Sequence, residues 1–314
     1  MKMPAEKKQL SIIVPVYNWD TGLLIKALSE EISTAALAES VEILIADDCS
    51  DQRFQDVNRN HVCGIPYVEY YELEKNIGRA AIRNDLLSRA RGTSILFLDA
   101  DVVPDSPSFL RTYLQYMEKG NPVVCGGISY QQQILKGRQY DFYLYKGTKT
   151  EWIPASQRQM VPWRYFFSAN VLLQASVLDG ISFDERFSGY GYEDIEWGIR
   201  LEREHGILHI DNTCSHLGLV AKDDAFMRMR NSIDNFIELK RMHPQVFAKA
   251  GISPLATFLG YIPKGMLRLL DAGLIRVFRL SPWPRLSYYC FQMDKAVLFS
   301  LQERVGTEEG AADG

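Results

Sequence analysis

The 314 residues suffice for one large domain, or a domain with an appendage, around a substantial buried core. With 46% hydrophobic and 24% charged residues, a net charge of -4 and a mean hydropathy of -0.15, the composition is that of an ordinary globular protein and gives no reason to expect nucleic acid as a partner. The five scattered cysteines include no Cys-x-x-Cys pair, which fits reduced thiols better than a disulfide framework or a zinc site; with no signal-peptide-like core in Met1 to Gln9, a cytoplasmic protein is expected.

Short apolar strands alternate with helical stretches through the first hundred residues, which predicts a mostly parallel sheet with helices on its faces. Leu10 to Val16 reads as a buried strand, and Pro15 closes it ahead of Tyr17 and Asn18. The Tyr17 ring there suits a flat base, although a plain strand end has the same pattern. Gly22 to Ala38 has helical spacing, and Val41 to Ala46 is a second strand running into Asp47-Asp48-Cys49-Ser50. That run is common helix-capping turn chemistry; its other reading is a carboxylate that accepts from a pyrimidine or a ribose.

Tyr67 to Tyr71 is a weaker strand, followed by Asn76-Ile-Gly78-Arg79 and Arg83-Asn84 at the opening of a helix over Gly78 to Arg91. Gly78 lets the backbone approach a ligand, and two arginines at i, i+4 near a helix N-terminus suit an anion such as a diphosphate. The strand Ser94 to Leu98 then ends in Asp99-Ala-Asp101, with Pro104 beyond. Side chains two apart on an extended segment point the same way, so Asp99 and Asp101 can converge on one cation or phosphate-bearing ligand. Alone, the pair also describes a solvated acidic turn.

Residues 120 to 190 are rich in aromatics, Gly and Gln and read as loops and extra strands over the sheet edge. A helix is expected to open near Glu193, behind Gly189-Tyr-Gly191-Tyr, and another to run from Ala221 to Ala250. Glu193 and Asp194 either complement the helix dipole or serve a sugar site, where a carboxylate within reach of a hydroxyl is a general base. His216, after a short apolar strand, is either a structural histidine or joins Asp101 on a metal; carboxylate plus imidazole suits Mn2+ better than Mg2+.

From residue 251 to 290 there are five basic residues, Lys264, Arg268, Arg276, Arg279 and Arg285, against the single acid Asp271, a local charge of +4. Leu267, Leu270, Leu274, Ile275 and Phe278 recur among them at helical spacing. The segment 264–290 either lies on an anionic membrane surface or forms a helical hairpin packed on the catalytic domain with a solvated basic face. Two parts are therefore expected, a domain over 1–250 and a basic helical extension over 251–314, with a disordered tail after Glu308.

Taken in order, Pro-Val-Tyr-Asn, Asp-Asp-x-Ser, Asn-x-Gly-Arg, Leu-Asp-Ala-Asp, Gly-x-Gly-x-Glu-Asp and the later His resemble the family 2 glycosyltransferases of the GT-A fold, over about residues 10 to 245. Phe187 to Asp194 is also similar to the acceptor-side motif of galactosyl- and N-acetylgalactosaminyltransferases and chondroitin-polymerase-like enzymes. The resemblance implies an α/β nucleotide-binding fold, with Pro15, Tyr17, Asp47 or Asp48, Asn76 and Arg79 around a uridine. Arg83 would join Arg79 in stabilising the departing diphosphate, and Asp99 would touch ribose or metal. Asp101 and His216 would hold Mn2+ (or Mg2+), Asp194 would be the base, and Glu193 would grip a sugar. It further implies an inverting transfer from a UDP-sugar to a glycan or lipid-linked acceptor. Cys49 stands where the family usually has a small residue such as Gly or Ser, a change expected to be harmless, and beyond Trp163 to Asn170 no acceptor signature is clear.

Two rivals use the same residues. A haloacid-dehalogenase-like phosphatase would use Asp99 as nucleophile and Asp101 as acid, but needs a later Lys and a downstream acidic pair. A non-catalytic sugar-binding homologue would be expected to have lost acids that are all present here.

Overall fold

The computed structural model describes residues 8–247, 255 and 258–312. Seven strands form one sheet in the order β3-β2-β1-β4-β8-β6-β9, comprising β1 (Lys8–Val16), β2 (Val41–Asp47), β3 (Val68–Glu72), β4 (Gly92–Leu98), β6 (Val123–Cys125), β8 (Asn170–Gln174) and β9 (Leu208–His209). Only β8 runs against its neighbours; every other pairing is parallel. All of β2, nearly all of β4 and the Leu10–Val14 stretch of β1 are buried, as parallel strands covered on both faces must be.

Alternate residues of the same strands feed two cores. Ile12, Val14, Ile43, Ile45 and Leu96 face one side, where α1 (Gly22–Thr34) contributes Leu24, Leu28 and Ile32. Ile13, Leu44, Ile95 and Phe97 face the other, against Ala80, Ile82 and Leu86 of α3 (Arg79–Arg89) and Trp197 and Leu201 of α7 (Glu193–His205). Along the chain, α2 (Gln52–Val62), α4 (Phe109–Glu118), α5 (Asp141–Thr150) and α6 (Ala155–Arg158) come between these helices in sequence.

A second sheet has three short strands, β5 (Val102–Pro104), β7 (Ile128–Ser129) and β10 (Cys214–His216), in the order β5-β10-β7. The Asp105 carboxylate ties it together, accepting from Ser129 Oγ at 2.5 Å, Thr213 Oγ1 at 2.6 Å and Ser215 Oγ at 2.5 Å. Because His216 pairs with Val102, this sheet delivers the histidine to the residue next to Asp101.

The elements shift slightly from their sequence expectations. The first helix stops at Thr34, the weak strand starts at Val68, and the helix after Asn76 begins at Arg79 with Gly78 at φ +88° just ahead of it. The single helix expected from Ala221 is three: α8 (Lys222–Asn231), α9 (Ile233–Met242) and α10 (Pro244–Phe247). Ser232 breaks the first pair by turning its hydroxyl back to Met229 O at 2.8 Å, and Pro244 separates the next; residues 248–250 lie outside the described ones. The expected disorder after Glu308 is a helix as far as Ala312.

Two compact units emerge, the first of residues up to Leu135, Thr148–Ser188 and Glu193–Gly218, the second of Lys136–Gly147, Gly189–Tyr192 and Leu219 onward. The chain thus parts at Leu219, ahead of the composition change near 251. Within the second unit α11 (Lys264–Leu280) and α12 (Pro284–Ala312) form a helical hairpin. Arg230 of α8 fastens it, donating to Asp271 at 2.7 Å and Asp294 at 2.8 Å. Among the described residues no helix is long and apolar enough to cross a membrane.

Candidate active site

The parallel register sets the carboxyl ends of β1 to β4 side by side, the edge at which open α/β sheets bind ligands. The loops after β1 and β2 are laced to each other there. Asn18 N donates to Ser50 Oγ at 2.8 Å, Asp51 N to Asn18 Oδ1 at 2.7 Å, and Asp48 N to Val16 O at 2.8 Å. Tyr17 projects from this frame with 57% of its surface exposed, whereas Pro15 is half-buried within β1.

Asp47 and Asp48 are buried and largely committed to the frame. Asp47 accepts from Ser50 N at 2.6 Å and Tyr70 Oη at 3.1 Å. Asp48 accepts from Ile77 N at 2.7 Å and Gly78 N at 3.0 Å, while Asn76 Nδ2 donates to Asp48 O at 2.9 Å. These bonds shape the turn that starts α3 and leave both carboxylates turned inward. Cys49 between the loops has φ +63°, a left-handed conformation that glycine adopts freely and cysteine does not. The substitution expected to be harmless therefore carries backbone strain.

Arg83 is the centre of the acidic cluster. It is 3% exposed, donates to Asp99 Oδ1 at 2.8 Å, and lies 3.6 Å from Glu193 Oε1. Arg79, about half exposed, reaches the same Glu193 oxygen at 3.7 Å. Burial opposes the Arg83 charge, but Asp99, Asp194 and Glu193 together hold its pKa above the ordinary value. Its sequence reading as a diphosphate ligand is at odds with this burial; the more open Arg79 fits that description better. Glu193 is itself 3% exposed and held by the arginines, so its carboxylate does not present itself to a sugar.

Asp194 follows on the first turn of α7 and accepts from Ser168 Oγ at 2.6 Å. Burial raises its carboxyl to about 6; Arg83 opposes this, while Glu193 and Asp99 add to it. A carboxylate so placed is ionised at neutral pH yet a stronger base than an exposed aspartate.

Asp101 and His216 form a second pair, Oδ2 to Nε2, at 3.2 Å. Burial works against both charges, but each is more than offset by the other: Asp101 falls below the usual carboxylate range, helped by Arg79, and His216 rises to about 10, helped by Glu151. Glu151 Oε2 stands 3.8 Å from His216 Nδ1 and also accepts from Tyr130 Oη. Gly218 makes room for the pair, since a Cβ there would lie 2.1 Å from Asp101 Oδ2 and 3.2 Å from His216 Nε2.

Among the described residues no three His, Cys, Asp or Glu side chains are grouped to hold a metal ion unaided. Asp99 spends its Oδ1 on Arg83. One carboxylate and one imidazole nonetheless suit a divalent ion that takes its other ligands from a substrate diphosphate and water.

Sequence reasoning missed four contributors. Ser168 lay in the flagged stretch Trp163 to Asn170, and Gly218 two residues past His216, so both were adjacent to visible signals. Glu151 and Tyr130 had none, because both are far from His216 in the sequence; β7, which pairs with β10, brings Tyr130 up to it.

Comparison with known proteins bears on the family and the fold. Residues 11–172 match the model described as Glycosyl transferase family 2. The chain is similar to the validoxylamine A glucosyltransferase of Streptomyces hygroscopicus subsp. limoneus, at 26% identity over 63% of this chain and 48% of that protein. It is equally similar to the chondroitin synthase of Escherichia coli, at 26% identity over 62% of this chain and 32% of that one. The chain spans about half or less of the length of these two relatives. Among solved structures, a mannosyltransferase of Pyrobaculum calidifontis in complex with GDP-Man and Mn2+ shares the fold at TM-score 0.57 and 14% identity, covering 96% of this chain and 90% of that one. TarS of S. aureus does so at TM-score 0.52 and 16% identity, covering 94% and 55%.

Proposed function

Because the chain belongs to glycosyl transferase family 2 and is a glycosyltransferase of the GT-A fold, we propose that it moves a hexose or N-acetylhexosamine from a UDP-sugar to a hydroxyl of a glycan or lipid-linked acceptor, with inversion, in polysaccharide or cell-surface glycan synthesis. The observation that carries this reading is the placing, at one sheet edge, of a half-buried acid held by Ser168 and, separately, a carboxylate–imidazole pair. The first supplies a base, the second an anchor for the donor. A nucleotide-sugar donor is also what the mannosyltransferase from Pyrobaculum calidifontis holds, as GDP-Man.

In the proposed reaction Asp194 takes the proton of the acceptor hydroxyl as its oxygen attacks the anomeric carbon. The bond from that carbon to the diphosphate oxygen breaks on the opposite side, and UDP leaves with the electron pair. Asp101 and His216 would hold a divalent ion, Mn2+ or Mg2+, which when bound neutralises charge on the leaving diphosphate. Arg79, whose charge already reaches Asp101, lies where it can add to that stabilisation. Arg83 acts as a positioning residue, fixing Asp99 towards the ribose and balancing the acids around Asp194. Ser168 orients the Asp194 carboxylate, and Tyr17 offers an exposed ring to the base.

The pairing of Asp99 Oδ1 with a buried arginine counts against Asp99 as the nucleophile that the phosphatase reading needs. A panel of UDP-sugars with Mn2+, read by UDP release, tests the proposal. Turnover of one donor that is abolished by chelation and by Asp101→Ala is expected. An active Asp101→Ala protein, or phosphate release from simple phosphomonoesters, would overturn it.

A further inference from the structure

Helix α11 has two apolar faces, and only one is used inside its unit. Leu267 and Phe278 are fully buried, the latter stacked on Phe226 at 4.3 Å. The other face is the stripe of Met266, Leu269, Leu270, Val277 and Leu280, which falls on one side of a 3.6-residue helix with Gly273 in its middle. All five are exposed, Leu269 by 76% and Leu280 by 72%. Beyond the two helix ends stand Tyr261, 84% exposed, and Trp283, 67% exposed.

The exposed charges on this helix have one sign. Arg276 is exposed at its edge, and Arg279 and Arg268 are exposed further round the same side of the helix. Arg279 comes within 3.9 Å of Asp223, an exposed pair of little strength. The helix's one acid, Asp271, is engaged by Arg230. A protein of net charge -4 thus presents, on this helix, an apolar stripe edged only by cations.

A second copy of the chain fits that surface poorly. A two-fold contact sets a stripe against itself and brings its cations together, with no exposed acid on the helix to answer them. An anionic bilayer surface answers both features. It takes the apolar side chains into the acyl boundary, attracts the arginines, and accommodates Tyr and Trp at headgroup depth. At 17 residues and about 1.5 Å rise per residue the helix is built to lie in such a surface, not to cross it.

We propose that α11, with Tyr261 and Trp283 at its ends, is an interfacial helix that docks the protein on an anionic lipid bilayer. The proposal is independent of the donor and metal assigned above. The test is sedimentation of the full chain with vesicles of phosphatidylcholine alone or mixed with phosphatidylglycerol, at low and high salt. Binding to the anionic vesicles that weakens with salt is expected, together with quenching of Trp283 fluorescence by brominated lipid, assigned by its loss in Trp283→Phe. Partitioning should fall about fivefold for each arginine removed in Arg268→Gln and Arg276→Gln, and at least about tenfold in the pair Leu269→Gln/Leu280→Gln. Thermal melting of each variant reports its fold, and lipid quenching in the unsubstituted protein decides the matter if the leucine pair melts early. Absence of binding, equal binding to neutral vesicles, or full retention by the leucine pair would overturn the proposal. So would a dimer, seen by light scattering, that the leucine pair dissolves while vesicles are ignored.

Discussion

Two arginines are buried in the catalytic unit, and their surroundings differ in kind. Arg83 faces Asp99 and Glu193 directly and feels Asp194, and these acids raise its pKa despite burial. Arg158, on α6, has its guanidinium among backbone carbonyls: Ile153 O at 2.9 Å, Ile210 O at 2.7 Å and Gly126 O at 3.2 Å, with His209 Nδ1 at 2.7 Å. Burial lowers its pKa, and no carboxylate lies closer than Asp211 at 3.5 Å. His209, held neutral by burial and by Arg158 with a pKa of about 4, completes that latch by bonding Pro162 O. A buried charge therefore does not by itself mark a site. Arg83 sits among groups that can change protonation or ligand, while Arg158 satisfies carbonyls that can do neither.

The largest effect should come from removing the acid that Arg83 helps to tune. Asp194→Asn is expected to lower kcat by about 10²–10⁴-fold, the worth of a positioned general base, measured as UDP release with saturating donor. The fold should survive. A carboxyl raised from 3.8 to about 6 favours the folded state at low pH, and that contribution is lost as pH rises through about 6. The variant should accordingly melt no earlier than the parent at pH 8. Arg158→Met should do the reverse. It orphans several buried carbonyls, so urea unfolding should show a loss of about 3–5 kcal/mol, with turnover per folded molecule preserved.

This division was only partly legible in the sequence. The periodicity of β1, β2 and β4 marked the sheet, and the acids at its carboxyl edge followed from strands running in parallel. The chain order of Asp47-Asp48, Asn76, Asp99-Ala-Asp101, Asp194 and His216 pointed to the family that residues 11–172 match. What could not be read was which charged groups spend themselves on one another. Arg83 looked like an anion ligand because helical spacing says nothing about the acids that reach it from β4 and α7. Asp47 and Asp48 looked available because their amide partners lie in loops whose path no periodicity encodes. Arg158 gave no signal at all, since its partners are carbonyls, which every residue carries.

The pH profile sharpens the contrast between the arginines. In the unsubstituted protein kcat/KM should fall as pH drops below about 6, where Asp194 takes up its proton. Arg83→Met removes a cation that opposes the rise, leaving Asp99 and Glu193 to push the same way. The acidic limb should move upward by about 1–3 units. Arg158→Met should leave the limb where it is, and an equal shift in both variants would dissolve the distinction.

Two glycines carry the same contrast at smaller cost. Each clears space for a charged group: Gly218 for the Asp101–His216 pair, and Gly127, at φ +88°, for Arg158, whose Cζ a Cβ would meet at 2.6 Å. In Gly218→Ala the obstructed atoms belong to a side chain able to rotate, so the fold should yield little and the pair should separate. The Mn2+ concentration needed for half-maximal UDP release is expected to rise by about 10–100-fold, with melting nearly unchanged, as for groups that orient metal ligands. Gly127→Ala should instead lower the melting temperature, because a left-handed backbone and a packed guanidinium both resist the methyl, and leave the Mn2+ requirement alone. An Mn2+ requirement that moves with Gly127 and not with Gly218 would mean that the pair is not where the metal binds.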